Sequence, residues 1–283
     1  MALYDDFLIT TDYDGTLTDL NGFIPERNLQ AILYFMENGG AFTINTGRSG
    51  AAARELMEQV PVNAPFILMN GAAMAQNGEY VVNHPIQLDP WSVIDQLRQA
   101  FPQLQLEVQD LHYHYLINPT PEKPARYDAV GWRYKIVQSG DPLGPFLKLS
   151  VYPPDQEFQE LQASSSVHED NPQLLKRIKA YLSDTWGDQF AFFQLSDQFM
   201  TVHDKAVSKL NAARELQKRL GKKYLVCIGD GLNDVPMLDG ADFAYCPADG
   251  TVADRYETVC KCGDGAVADV IYKKIPEILG IQP

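Results

Sequence analysis

Phe7-Leu8-Ile9-Thr10-Thr11-Asp12-Tyr13-Asp14-Gly15-Thr16 is the stretch that decides the fold. Its first five residues are apolar or β-branched without alternation, the pattern of a strand buried on both faces of a parallel sheet. The run stops at two aspartates two residues apart, and the glycine after them permits a tight turn. Two carboxylates therefore meet at one strand tip. Carboxylates held together require a cation, and hydrated Mg²⁺ is the usual partner for such hard oxygen ligands. A carboxylate can also attack phosphorus and carry it covalently.

Outward from this stretch the same rhythm repeats. Pro25 opens a helix with Leu29, Ile32, Leu33 and Met36 at helical spacing, and Gly39-Gly40 closes it. Ala41 to Asn45 reads as a second strand ending at Thr46-Gly47-Arg48. A helix is expected from Ala51 to Gln59, then a third strand from Phe66 to Met69 ending at Asn70-Gly71. In the last third, Asp204 is expected to cap a helix from Lys205 to Leu220. Tyr224 to Ile228 reads as another buried strand, ending at Gly229-Asp230-Gly231-Leu232-Asn233-Asp234. Short strands near Phe243 to Cys246 and Thr258 to Cys260, and a helix from Gly265 to Lys274, complete the series. Alternating strands and helices imply an α/β fold, a Rossmann-like doubly wound parallel sheet with right-handed crossovers.

The middle of the chain reads differently. Asp89-Pro90 starts a helix, and Leu104-x-Leu106-x-Val108, Tyr113-x-Tyr115-x-Ile117 and Phe146 to Val151 alternate as strands of a half-covered antiparallel sheet. Asn171-Pro172 opens a further helix, while Asn118 to Pro124 reads as a proline-rich loop. The expected organisation is a discontinuous core of residues 1–83 and 200–283 with an inserted α+β domain at 84–199. Within that insertion His112-x-His114 is expected to set two rings on one strand face, a solvated or packed pair more readily than a zinc site. Lys148 reads as an edge lysine with its head in water or, alternatively, as a cation reaching into a site.

With 283 residues, 45% hydrophobic, there is ample material for a packed core. A net charge of −14 argues against nucleic acid or an anionic membrane surface as a partner. No apolar stretch has the length of a membrane span, and Met1 to Asp6 lacks the pattern of a signal peptide. The four cysteines, Cys227, Cys246, Cys260 and Cys262, lack zinc-site spacing and read as reduced thiols, which fits the cytoplasm.

In open parallel sheets, sites form at the carboxyl ends of strands. Asp12 and Asp14, Thr46, Lys209 and the Gly229–Asp234 run all fall at strand tips or a helix start. This set resembles the haloacid dehalogenase superfamily of phosphohydrolases. Asp12-x-Asp14-Gly15-Thr16-Leu17 and Gly229-Asp230-x-x-Asn233-Asp234 fit its first and last motifs, and Val235-Pro236-Met237-Leu238 continues as in the Cof-like sugar phosphatases. The insertion resembles, in position and size, the cap that Cof-like members carry after the third strand.

The resemblance implies roles. Asp12 is the nucleophile, Asp14 the general acid and base, Thr46 a hydrogen-bond donor to the phosphoryl group, and Lys209 its counter-charge. Mg²⁺ is held by Asp12, the backbone of Asp14, Asp230 and Asp234, with Asn233 completing or orienting that shell. Gly15, Thr16, Gly47, Arg48, Asn70 and Asn233 are expected on the substrate side. Lys209, rather than Lys205, matches the family register through Ala212, Leu216, Leu220 and Gly221, whereas Leu210 and Ala213 depart from it. The implied activity is a Mg²⁺-dependent phosphatase acting on small phosphorylated metabolites, most readily sugar phosphates. A phosphomannomutase-like transferase, or a non-catalytic phosphate-binding or receiver-like protein, is the alternative.

Overall fold

A computed structural model describes residues 2–153, 171–196 and 199–281. The part of the expected insertion at 154–170 and 197–198 lies outside the described residues. The chain divides into two compact units. The first comprises Met1–Arg48, Ala53–Asn83 and Ser208–Pro283; the second comprises Ser49–Ala52 and His84–Val207.

The first unit is built on strands β1 (Phe7–Thr11), β2 (Ala41–Ile44), β12 (Tyr224–Ile228), β13 (Phe243–Pro247) and β14 (Glu257–Val259). They form one parallel sheet in the order β14-β13-β12-β1-β2. Every residue of β1 is buried, as a strand covered on both faces requires. Helix α1 (Glu26–Glu37) crosses from β1 to β2, turning Asn28, Ala31, Ile32 and Phe35 inward, and α2 (Gly50–Gln59) follows β2. Leu8, Ile67, Leu225, Cys227, Leu216 and Met237 share one apolar cluster. Each such leucine or isoleucine contributes about 1.5–3 kcal/mol by leaving water.

Register fixes where the strand tips lie. Thr11 of β1 pairs with Ile228 of β12 and with Ile44 of β2, so three neighbouring parallel strands end side by side. The residues that follow them, Asp12, Gly229-Asp230 and Asn45-Thr46, are thereby gathered at one sheet edge.

Two sequence expectations are corrected here. Strand β3 (Phe66–Leu68) pairs with the parallel sheet through one isolated bridge, from Ile67 to Asn45, although Ile67 packs into the same core. It belongs instead to a three-stranded antiparallel sheet with β4 (Ala73–Gln76) and β5 (Glu79–Val82), which the Asn77-Gly78 turn connects. The helix expected from Lys205 starts at Lys209. Strand β11 (Phe199–Asp204) runs up to Asp204, whose carboxylate accepts from the Ala206 N–H (2.9 Å) and so makes a turn. Ser208 then caps the helix by accepting from the Asn211 N–H (3.4 Å).

The second unit holds a six-stranded sheet in the order β10-β11-β9-β6-β7-β8, with β6 (Gln105–Gln109), β7 (His114–Ile117), β8 (Tyr134–Ile136), β9 (Lys148–Tyr152) and β10 (Phe190–Ser196). All pairs are antiparallel except β7 with β8. Helices α3 (Pro90–Ala100) and α5 (Asn171–Trp186) supply Val93, Ile94, Leu97, Leu175, Ile178 and Leu182 to a core shared with Leu106, Val108, Leu149 and Val151 of the sheet. Asp89 caps α3 through the Ser92 N–H at 2.7 Å.

Three local expectations are also corrected. Residues 122–129 form helix α4 (Glu122–Ala129), because Pro124 falls in its first turn, where a missing N–H costs nothing. His112 lies exposed in the turn before β7, so it does not share a strand face with the buried His114. Lys148 is buried on the interior strand β9, between β11 and β6, and is no edge lysine. Burial pushes its ammonium down to about 8.

Candidate active site

Asp12 directly follows β1 and its N–H continues the ladder to the Ile228 carbonyl (2.9 Å). Its carboxylate is buried and meets the Lys209 ammonium at 2.5 Å. Lys209 is the first residue of helix α6 (Lys209–Arg219), and its amine also donates to Asp234 Oδ1 at 2.7 Å. Lys205, by contrast, is exposed, with Asp188 at 3.9 Å. Helix α6 is seated by Ala212, Ala213 and Leu216 on its buried face. Leu210, where the family pattern has glycine, packs against Gly240, which has no side chain to obstruct it. At the same end, Gly71 must be glycine: its φ is +105° and a Cβ would come within 2.7 Å of the Ser208 carbonyl.

Asp230 follows β12 on the loop to the short helix α7 (Val235–Asp239). Its carboxylate accepts from Thr16 Oγ1 at 2.6 Å. Gly15, at φ +78°, lets the Asp12–Thr16 turn pass so close that a Cβ would lie 3.0 Å from Asp230 Oδ2. Asp234 is fully buried, and its second oxygen accepts from the N–H groups of Asp230 (3.2 Å) and Gly231 (3.1 Å). It thereby folds its own loop as well as holding Lys209. Asn233 is half-buried on that loop.

The β2 tip is tied to the β3 tip. Thr46 N–H donates to the Ile67 carbonyl (2.9 Å), Met69 N–H to the Arg48 carbonyl (3.0 Å), and Asn70 N–H to the Thr46 carbonyl (3.0 Å). Thr46 Oγ1 accepts from the Arg48 N–H at 3.2 Å, which leaves its hydroxyl proton available as a donor. Asn70 is buried in the left-handed region at φ +58° and lies against Gly47. Arg48 forks onto Asp14, with Nε to Oδ2 at 2.9 Å and Nη2 to Oδ1 at 2.5 Å.

Carboxylate oxygens of Asp12, Asp230 and Asp234 lie within 4.8 Å of one another. Burial is the main cause pushing the Asp12 carboxyl up to about 8, with Asp234 and Asp230 adding and Lys209 opposing. Burial likewise pushes Asp230 up to about 6, with Asp234 adding to it. Burial opposes the charge on Lys209, yet its two carboxylate partners outweigh that and hold the ammonium above its usual range. Three carboxylates thus share one ammonium, an excess of two negative charges when all are ionised. That excess and the all-oxygen donor set fit a divalent hard cation.

Two supports were not read from the sequence. Asn45, fully buried, donates from Nδ2 to the Lys209 carbonyl at 2.9 Å and so anchors the start of α6. The loop after β13 grips the Asp230 backbone: Thr251 Oγ1 (2.9 Å) and the Val252 N–H (3.3 Å) both donate to the Asp230 carbonyl. The Asp249-Gly250-Thr251 run after a strand was the available signal.

The family model for haloacid dehalogenase-like hydrolases matches residues 9–253, and the chain belongs to that family. It is 27% identical over 242 residues to a protein of Streptococcus pyogenes serotype M6 named as a phosphatase, covering 82% of this chain and 83% of the relative. It is 24% identical over 254 residues to the mannosyl-3-phosphoglycerate phosphatase of Pyrococcus furiosus, covering 84% and 89%. The solved structure of a haloacid dehalogenase-like hydrolase from Bacteroides thetaiotaomicron superposes with a TM-score of 0.75 at 17% identity, covering 96% of this chain and 99% of that one. The described elements and this likeness agree on the fold: a parallel α/β core with an inserted α+β region. The four cysteines are free thiols. Among the described residues no helix is long and apolar enough to cross a membrane.

Proposed function

We propose that this hydrolase is a Mg²⁺-dependent phosphatase of small phosphorylated metabolites, most readily sugar phosphates, that works through an aspartyl-phosphate. The observation that carries the reading is Asp12: a buried carboxylate at a parallel strand tip, fixed by Lys209 at 2.5 Å and flanked by Asp230 and Asp234. The phosphatase names of relatives from Streptococcus pyogenes and Pyrococcus furiosus support it, and the latter's substrate is a phosphorylated sugar derivative.

In this reading an Asp12 oxygen attacks phosphorus in line, and the bond to the leaving oxygen breaks. Asp14, protonated, gives that oxygen its proton. As a carboxylate it then takes a proton from water, which attacks the aspartyl-phosphate and releases inorganic phosphate with Asp12 regenerated. Thr46 donates its hydroxyl proton to a phosphoryl oxygen, and Lys209 offsets negative charge there. Gly15, whose N–H donates to Thr18 Oγ1 at 3.3 Å, and Thr16 are proposed on the substrate side. Gly47, Arg48, Asn70 and Asn233 are the residues proposed to line the substrate side. Asp12, Asp230 and Asp234, with the Asp14 carbonyl, are the groups that would hold Mg²⁺, whose charge would offset that of the phosphoryl oxygens.

The experiment is a screen of the purified protein against phosphorylated metabolites with Mg²⁺, reading released phosphate, alongside Asp12→Asn. Release that Asp12→Asn abolishes is expected. An isomerised sugar phosphate without free phosphate would favour a mutase. Normal turnover by Asp12→Asn would overturn the nucleophile.

A further inference from the structure

Tyr13 stands between the two aspartates and has no part in the chemistry proposed for them. It is buried, whereas Asp14 beside it is exposed. The Arg48 guanidinium lies over the Tyr13 ring, 4.9 Å from its centroid, within reach of a cation–π attraction. Arg48 therefore has two partners at once. One is the Asp14 carboxylate, which its Nε and Nη2 grip at 2.9 and 2.5 Å; the other is the ring face.

Both backbones are pinned. The Tyr13 carbonyl accepts from the Thr18 N–H (3.0 Å) and from the Thr18 hydroxyl (3.2 Å). The Arg48 N–H donates to Thr46 Oγ1 (3.2 Å), and its carbonyl accepts from the Met69 N–H (3.0 Å). The ring is thus a fixed surface, and the part left to move is the long Arg48 side chain. An arginine that loses its carboxylate regains rotamer freedom unless something else holds it. A planar guanidinium stacks on an aromatic face as well as forking onto a carboxylate, which an ammonium does not.

The two partners differ in permanence. Asp14 points at Arg48 and must turn from it to reach a substrate oxygen or a water. The Tyr13 ring stays where it is. An aliphatic side chain at position 13 would fill the buried space equally well but would offer no π face. We propose that Tyr13 is a positioning residue, whose ring face keeps the Arg48 guanidinium in place when Asp14 turns away. The contact stands by itself; its kinetic consequence rests on the phosphatase reading.

The first test is structural. Asp14→Ala imitates the released state. Crystal structures of Asp14→Ala alone, with Tyr13→Phe and with Tyr13→Leu show where the guanidinium goes. It is expected within about 6 Å of the ring centroid in the first two and displaced in the third. An Arg48 that leaves the ring in Asp14→Ala overturns the proposal. So does one that keeps its place when Tyr13→Leu is added. Tyr13→Met, which also lacks a π face, replaces Tyr13→Leu should that variant fail to fold.

The second test is kinetic, with Asp14 intact. Tyr13→Phe is expected to keep the kcat/KM of the parent, and Tyr13→Leu to lose about two- to fivefold, the worth of an exposed cation–π contact. In an Arg48→Ala background Tyr13→Leu is expected to cost nothing further, whereas a packing defect would persist there. No loss in Tyr13→Leu, or a loss of the same size with and without Arg48, overturns the proposal. If the parent releases phosphate from no substrate, the phosphatase reading fails, and the crystal structures still decide the contact.

Discussion

Arg48 grips Asp14 with two parallel hydrogen bonds, Nε to Oδ2 at 2.9 Å and Nη2 to Oδ1 at 2.5 Å, while its guanidinium lies 4.9 Å over the Tyr13 ring. The fork points the proposed acid and base toward Arg48 rather than toward Asp12, so Asp14 must be released when it exchanges protons. The pair is half in water, with side chains 32% and 56% exposed, and such pairs add only about 0–1 kcal/mol to stability. Arg48→Ala should therefore move the unfolding midpoint by no more than about 2–4 °C. Arg48 is also proposed on the substrate side, where its charge would stabilise the phosphoryl group once Asp14 is released, so kcat should fall at least about tenfold. Steady-state kinetics beside a thermal melt separate the two, and an Arg48→Ala enzyme with unchanged kcat would show the fork to be a surface ornament.

Lys209 makes the opposite case. Its ammonium is buried between Asp12 and Asp234, so Lys209→Met leaves two buried carboxylates without their cation. Removing one partner of a buried pair costs about 3–5 kcal/mol. The variant should lose both turnover and stability, and denaturant unfolding should show a midpoint well below that of the parent. A Lys209→Met protein as stable as the parent would mean that the carboxylates find another counter-charge.

Much of this arrangement was legible from the chain because β1 and β12 end in motifs and pair in register, so reading either strand tip nearly locates the other. Lys209 was singled out over Lys205 by the family register through Ala212, Leu216, Leu220 and Gly221, since helical spacing alone puts both lysines on one face. What failed to show was set by distant parts of the chain. Helix α6 starts late because β11 extends to Asp204, a consequence of pairing with β9 and β10. Strand β3 keeps one bridge to the parallel sheet and pairs along its length with β4, because the Met69–Gly71 turn folds the chain straight back on it. Lys148 looked like an edge residue, since nothing local to it announces the strands on both its sides. Glu107, His114 and Ser49 are joined only by the tertiary fold, and no spacing connects them.

The acidic cluster predicts how Mg²⁺ binding depends on pH. Asp230 is pushed up to about 6 and Asp12 to about 8, both mainly by burial, against an ordinary value of 3.8. Folded pKa values above the unfolded ones mean that the cation-free folded chain binds extra protons in this window. Its stability therefore falls as pH rises through it. A bound cation must displace those protons, so Mg²⁺ should bind more tightly at pH 8 than at pH 6. At a free concentration of a hundred times Kd the stabilisation is about 2.7 kcal/mol. Melts with and without Mg²⁺ should separate further at pH 8 than at pH 6, and chelation with EDTA should close the gap. Equal separation at both pH values would place Mg²⁺ away from these carboxylates.

Glu107 gives the second unit an acid limit. Its carboxylate is fully buried, yet Lys123 (2.8 Å), His114 (2.6 Å) and Tyr127 (2.6 Å) surround it. Burial alone would raise its pKa; the Lys123 charge and the His114 hydrogen bond outweigh burial and hold it well below the usual 4.5. A depressed folded pKa contributes stability that is complete above the unfolded value and lost as pH falls through the folded one. Loosening of this unit should thus begin below about pH 4.5 and deepen with further acidification. Trp132, stacked on His114, is a local reporter, so its fluorescence should change in the same range. Glu107→Gln keeps the shape and some hydrogen bonds but leaves Lys123 buried without its carboxylate, at a cost of about 3–5 kcal/mol. That variant should be less stable at pH 7 and should lose the portion of acid sensitivity that Glu107 confers. Stability curves of parent and variant that run parallel from pH 7 to pH 3 would assign the acid limit to other carboxylates.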